Sequence, residues 1–255
     1  MTVAQNPLTP EPVVLSGQSC NVEVPQRALA IGAHPDDIDF GCGATLAKWA
    51  ASGCEVHVVV CTDGSKGTWD QSTDTQQLIT TRQTEQQQAA KILGATGEVG
   101  FLGWPDGELE STLVQRAQVA WWIRKLRPTV VLGHDPWKRY RLHPDHRHAG
   151  WLVTDGVVAA RDPKFFTDQE YPHHRPDAIL LWEADQPNHY EDVTGFEEIK
   201  YAALTAHKSQ YVSTMHTGDG SNPTQFRSAV MTKLRQAGDA AGVTYAEVFT
   251  LIDDL

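Results

Sequence analysis

Residues 27 to 37 read R-A-L-A-I-G-A-H-P-D-D. The first six are an apolar run closed by glycine, the pattern of a strand buried on both faces. The chain then changes at once to small, rigid and ionisable residues. Beyond them, residues 44–52 have helical spacing, and Gly53 is a helix stop. Residues 55–62 (E-V-H-V-V-V-C-T) form a β-branched strand, and 63–75 is a loop rich in Gly, Ser, Thr and Asp. The spacing predicts helices over 76–93 and 112–126, stopped by Gly94 and Pro128. It predicts strands over 99–102 and 129–133 (T-V-V-L-G). A helix over 146–159, a strand over 178–183 (A-I-L-L-W-E) and helices over 196–207 and 223–237 follow. This alternation predicts an α/β protein with a mostly parallel sheet and helices on both faces. Ligands of such sheets sit at the C-terminal ends of strands. The residues after Gly32, Cys61, Leu102 and Gly133 are therefore where a site is expected.

Composition narrows the class. At 255 residues the chain suits one domain. A flexible N-terminal arm is expected over 1–24, a single domain over 25–255, and an insertion or lid over 162–177, where Pro, His, Phe and Tyr accumulate. A net charge of −11 disfavours phosphate backbones and anionic membranes, so neither nucleic acid nor a membrane is expected as a partner. No apolar stretch reaches ~18 residues, and the first residues lack the features of a signal peptide. The four cysteines, Cys20, Cys42, Cys54 and Cys61, form no C-x-x-C pair and suit a reducing cytoplasm. Assembly into a homo-oligomer would leave no unambiguous mark here.

Two of the expected strand ends combine imidazole with carboxylate: A-H-P-D-D (33–37) and L-H-P-D-H-R-H (142–148). A catalytic zinc takes three protein ligands and keeps one position for water. His34 and Asp37, three apart across a stiff proline, can supply two, and His146 the third. Such a site generates a hydroxide near neutral pH. Asp36, beside a ligand, can serve as general base. His143 can face the same cavity and stabilise an oxyanion, and Asp145 can pair with an imidazole and hold it protonated. Either string alone could be a turn before a capped helix; two at two strand ends favour a site.

The chain resembles the PIG-L/LmbE-type family of zinc-dependent de-N-acetylases. The resemblance rests on A-H-P-D-D (33–37), F-G-C-G-A-T-L-A (40–47), V-V-V-C-T-D-G-S-K-G (58–67) and R-x-x-E (82–85). It continues through F-L-G-W-x-D-G (101–107), H-P-D-H-R (143–147) and A-L-x-A-H-K-S-Q (203–210). It implies a Rossmann-like three-layer sandwich and one zinc ion per chain, held by His34, Asp37 and His146. It also implies Asp36 as base and later acid, His143 as oxyanion donor with Asp145 orienting it, and Arg82 and Asp106 on substrate hydroxyls. The implied activity is removal of an N-acetyl or other acyl group from a small amino-sugar substrate such as an N-acetylglucosamine derivative. Two departures are Ala44 where the family often has a second glycine, and Ser65 where many members have Glu.

Other features support less. The T-D-G-S-K-G loop (62–67) lacks phosphate-loop spacing, though Lys66 can reach an anion or hydroxyl on a substrate. His173 and His174 lack a spaced carboxylate. Trp104, Trp137 and Tyr140 flank strand ends and suit either sugar stacking or ordinary packing. Two alternatives to the hydrolase are a non-catalytic sugar- or nucleotide-binding domain and a two-metal phosphohydrolase. The second would want more strand-end carboxylates than the sequence offers.

Overall fold

The computed structural model describes residues 18–217 and 223–255. The strands are β1 (Ser19–Cys20), β2 (Arg27–Gly32), β3 (Glu55–Thr62), β4 (Val99–Trp104), β5 (Val130–His134), β6 (Ala178–Trp182), β7 (His189–Asp192) and β8 (Ala246–Ile252). The helices are α1 (Asp37–Ala51), α2 (Thr75–Ile92), α3 (Leu113–Leu126), α4 (Pro144–Arg161), α5 (Glu197–Leu204) and α6 (Pro223–Ala241). All eight strands share one sheet in the order β1-β7-β8-β6-β5-β2-β3-β4. Every pairing is parallel except those of β8 with β6 and β7.

Alternation along the strands divides the core into two layers. Ala28, Ala30, Val58, Val60, Leu132 and Leu180 face α1, α2 and α5. Leu29, Ile31, Val59, Val131, Ile179 and Leu181 face α3 and α4. This is the expected α/β three-layer sandwich.

The order also fixes where the strands part. From β2 the chain runs outward through β3 and β4, then crosses back to place β5 on the other side of β2. The helices that follow β2 and β5 lie on opposite faces. A crevice therefore opens between the C-terminal ends of β2 and β5, the position at which open α/β sheets bind ligands.

Besides strands β7 and β8, which the sequence reading did not predict, three features differ from it. First, α1 begins at Asp37 rather than near residue 44. It reaches that far because it is two helical pieces joined at Cys42, whose φ of −144° is not helical. The break leaves backbone N–H groups free, and Glu247 of β8 accepts them: from Ala44 at 3.2 Å and from Thr45 at 2.8 Å. Glu247 is buried and paired with buried Lys200. Gly41 is required beside the break, because a Cβ there would lie 2.5 Å from the Trp182 ring. Second, Ser19–Cys20 of the expected arm pair with His189–Tyr190 at the sheet edge; residues 1–17 lie outside the described residues. Third, 162–177 is not a lid. The helix α4 carries the chain back to the opposite end of the sheet, where Asp177 N–H donates to Thr129 at the start of β5. Arg124 fastens the segment there by donating to the carbonyls of Asp162, Phe165 and Phe166.

Glu247→Leu removes the acceptor for two buried N–H groups and strands the Lys200 charge. The expected loss of stability is about 3–5 kcal/mol, read as a lower urea midpoint at an unchanged slope. A loss below ~1 kcal/mol would show that the broken helix does not depend on this carboxylate.

Candidate active site

The turn after β2 and the start of α4 after β5 bring His34, Asp36, Asp37, His143 and His146 to one cleft of about 340 Å³, which Lys66, Arg82, Asp106 and Gln210 also line. A larger groove of about 680 Å³ runs beside β4 and α3, but no ionisable side chain lines it.

Donor atoms of three residues converge at the cleft floor. His34 Nδ1 lies 3.1 Å from Asp37 Oδ2 and 3.1 Å from His146 Nε2, and His146 Nε2 lies 3.3 Å from Asp37 Oδ1. Donors bonded tetrahedrally to zinc at about 2.0–2.1 Å would stand roughly 3.3 Å apart, so these residues fit such an ion. Their chemistry fits as well. Burial pushes the His146 imidazole down to about 3 and so holds it neutral, the form that binds a metal. Burial alone would raise Asp37, but the facing His146 and His134 hold it well below the usual carboxylate range. Burial would also lower His34, yet hydrogen bonds to Asp106, Asp145 and Asp37 outweigh it and raise the imidazole. A centre surrounded by three carboxylates calls for positive charge, which a proton or a metal ion can supply.

Asp145 is not the partner of His143. Its Oδ2 lies 3.0 Å from His34 Nε2 and accepts from Gly107 N–H, while its Oδ1 accepts from Leu109 N–H. It therefore orients His34, leaving Nδ1 to face the other donors. The His143 ring instead packs edge-on to His34, 4.6 Å between centroids, and stacks on His146 at 4.9 Å. Burial, then the nearby His34, lowers its pKa rather than raising it as expected.

Asp36 caps α1 in a left-handed conformation, φ 104°, a strain of about 1–3 kcal/mol for a non-glycine residue. A buried brace holds it there. Asp36 N–H donates to Gln86 Oε1 at 2.9 Å, Gln86 Nε2 donates to Asp39, and His207 Nε2 meets the same Asp39 oxygen at 3.0 Å. The Asp36 side chain has one buried oxygen, Oδ2, with no hydrogen-bond partner. Burial raises its carboxyl to about 6, with Arg82 opposing.

Arg82 is buried, and its guanidinium donates to Pro35 O at 2.7 Å and Gly64 O at 2.9 Å. It ties the turns after β2 and β3 together and does not pair with Glu85, which accepts from Ser209. Asp106 Oδ1 lies 3.2 Å from His34 Nε2, and Asp106 Oδ2 accepts from Lys66 N–H. Lys66 itself turns outward to Glu108.

The sequence reading missed His134, Glu183, Gln86, Asp39 and His207. His134 ends β5, so the strand-end rule pointed to it. The Trp182 indole donates to its Nδ1 at 3.0 Å. Its Nε2 lies 3.4 Å from Asp37 Oδ2 and also 3.4 Å from the Ala33 N–H. His134 thus supports Asp37. Of the aromatics, Trp104 donates to Gln118 and Trp137 packs on Trp151, while Tyr140 is 94% exposed. His174 is tied to Pro128 O at 2.7 Å, at the far end of the sheet.

A model of the family described as PIG-L, GlcNAc-PI de-N-acetylase, matches residues 29–157, a stretch that includes both strand ends. The chain is 36% identical to a diacetylchitobiose deacetylase of Thermococcus kodakarensis, across 73% of this chain and 70% of that protein. It is 30% identical to a 1D-myo-inositol 2-acetamido-2-deoxy-alpha-D-glucopyranoside deacetylase of Mycolicibacterium vanbaalenii, across 72% of this chain and 80% of that one. The solved structure of N,N'-diacetylchitobiose deacetylase from Pyrococcus horikoshii, complexed with its inhibitor MPG, shares the fold. Its TM-score is 0.81 at 30% identity, over 90% of this chain and 84% of that chain. By motif, topology and these likenesses together, the chain belongs to the PIG-L family of de-N-acetylases.

Proposed function

We propose that the chain is a metal-dependent hydrolase that removes the N-acetyl group from a small amino-sugar derivative, working in the cytoplasm. The observation that carries this reading is the convergence of His34 Nδ1, Asp37 and His146 Nε2, with the Asp36 carboxyl beside them. Those three residues would hold one zinc ion. When bound, such an ion polarises a carbonyl and lowers the pKa of water towards neutrality.

The remaining work falls to residues of the chain. Asp36 lines the cleft, and its Oδ2 has no hydrogen-bond partner and faces the Arg82 guanidinium at 3.7 Å. It accepts a proton from the attacking water and returns it to the leaving nitrogen, so that amide and water become acetate and a free amine. His143 offers an N–H to the oxygen that gains charge, a role a neutral imidazole can fill. Asp145 orients His34. Arg82 and Asp106, on the cleft wall, are the candidates for contact with sugar hydroxyls. The cleft's volume and polar lining suit a sugar ring. The names of the relatives, one a deacetylase of diacetylchitobiose and the other of an inositol-linked amino sugar, support that substrate class. No helix among the described residues is long and apolar enough to cross a membrane, and all four cysteines are free.

Purified without a metal-binding tag, the wild type should carry about one zinc and release amine from N-acetylglucosamine derivatives. His146→Ala should lose both. No metal after zinc is supplied would overturn the hydrolase and favour a sugar-binding domain.

Asp36→Asn should keep its zinc and lose about 10²–10⁴-fold in kcat; normal turnover would remove Asp36 as base. Asp145→Asn should weaken zinc about 10–100-fold in competition with a chelator, through misplacement of His34. Unchanged affinity would show that Asp145 does not orient a ligand.

A further inference from the structure

We propose that a second site, for a short carboxylate, lies behind the catalytic cleft, and that the acetate released from the substrate occupies it on leaving. This rests on the deacetylase reading of the cleft.

Two cavities lie on the far side of Asp37 from the cleft. Asp37 forms a wall of the cleft and also of a chamber of about 20 Å³. Phe40, Gly41, Glu183 and Lys233 wall that chamber and also a second cavity of about 100 Å³ between α1, α5, α6 and β8. The first has room for one water, since about 10–15 Å³ suffices. The second has room for several waters or a two-carbon carboxylate.

The walls select the ligand. Phe40, Leu204, Val230 and Leu234 give the larger cavity an apolar side that suits a methyl group. Its acids are already matched. Glu183 pairs with Arg141 at 2.9 Å, and Glu247 pairs with Lys200. Lys233 makes no ion pair among the described residues. The charge left over is therefore positive, and a small anion with an apolar end complements it. A neutral sugar or a cation would gain nothing from Lys233, and a bulky acid would not fit.

The location suits product release. Asp37, at the partition, is one of the three proposed metal-holding residues, so the rear chamber borders the point where the acyl carbon is cut loose. The amine product fills the open front of the cleft. Acetate passing inward past Phe40, which is only partly buried, need not wait for it. Rotation of the Phe40 side chain is the movement this requires.

The test is binding of [2-¹³C]acetate to the zinc-loaded full chain, followed by NMR, for wild type, Lys233→Met and Val230→Trp. Met keeps the length of the Lys233 stem, so this replacement should not disturb folding; Val230→Trp fills the cavity. Wild type should bind acetate saturably. Both variants should bind it about tenfold more weakly at unchanged zinc content. Should Val230→Trp not fold, Lys233→Met carries the comparison. Equal affinity in wild type and Lys233→Met, or no saturable binding in wild type, would overturn the rear site. Failure of the deacetylase reading is separate: it appears as no amine release from any N-acetyl sugar, whatever acetate does.

Discussion

The site depends on an electrostatic constraint: three buried carboxylates, Asp37, Asp106 and Asp145, all meet one buried imidazole, His34. Carboxylates so far from water are costly unless cations or hydrogen bonds compensate them. Here the compensation comes from three directions. Backbone N–H groups of Gly107 and Leu109 bind Asp145, the Lys66 N–H binds Asp106, and imidazoles surround Asp37. The loops after β3 and β4 are thereby pinned to the turn after β2. The cleft is held by the same contacts that make its floor negative. That is the arrangement expected of a centre designed around a cation.

The scaffold delivers this with few residues. The strand order opens a crevice between β2 and β5, so two turns distant in sequence meet without an added domain. The break in α1 at Cys42 lets its first piece point Asp36 and Asp37 into the crevice while the second piece packs on the sheet. Glu247 repairs the break from β8, and the Gly41–Trp182 contact keeps the two pieces close to β6. Behind Asp36, Gln86 and the Asp39–His207 pair stiffen a turn that would not hold its left-handed residue unaided.

Much of this was legible in the sequence, and the parts that were not share a physical reason. The strands β2, β3, β5 and β6 are buried on both faces and read as plain apolar runs. The strand β7 reads H-Y-E-D, because its buried Glu191 is matched by Lys48 and His189, and hydropathy cannot see a paired charge. The convergence of His34, Asp37 and His146 followed from strand-end placement. The partner of Asp145 did not. Nearness in sequence suggested His143, but residues two apart at a helix start diverge in direction, and Asp145 turns to His34 in the turn after β2. Gln86 and His207 act through contacts across 47 to 168 residues, and no local pattern announces those.

The central claim is that His34, Asp37 and His146 together hold one metal ion. X-ray absorption at the zinc edge of the reconstituted protein, joined with anomalous diffraction from its crystals, tests it most directly. The account predicts one ion with two nitrogen ligands and one carboxylate oxygen at about 2.0–2.2 Å, and a position open to water. An ion on the Asp106, Asp145 and His143 side of His34, or no ordered ion in zinc-treated crystals, would contradict it.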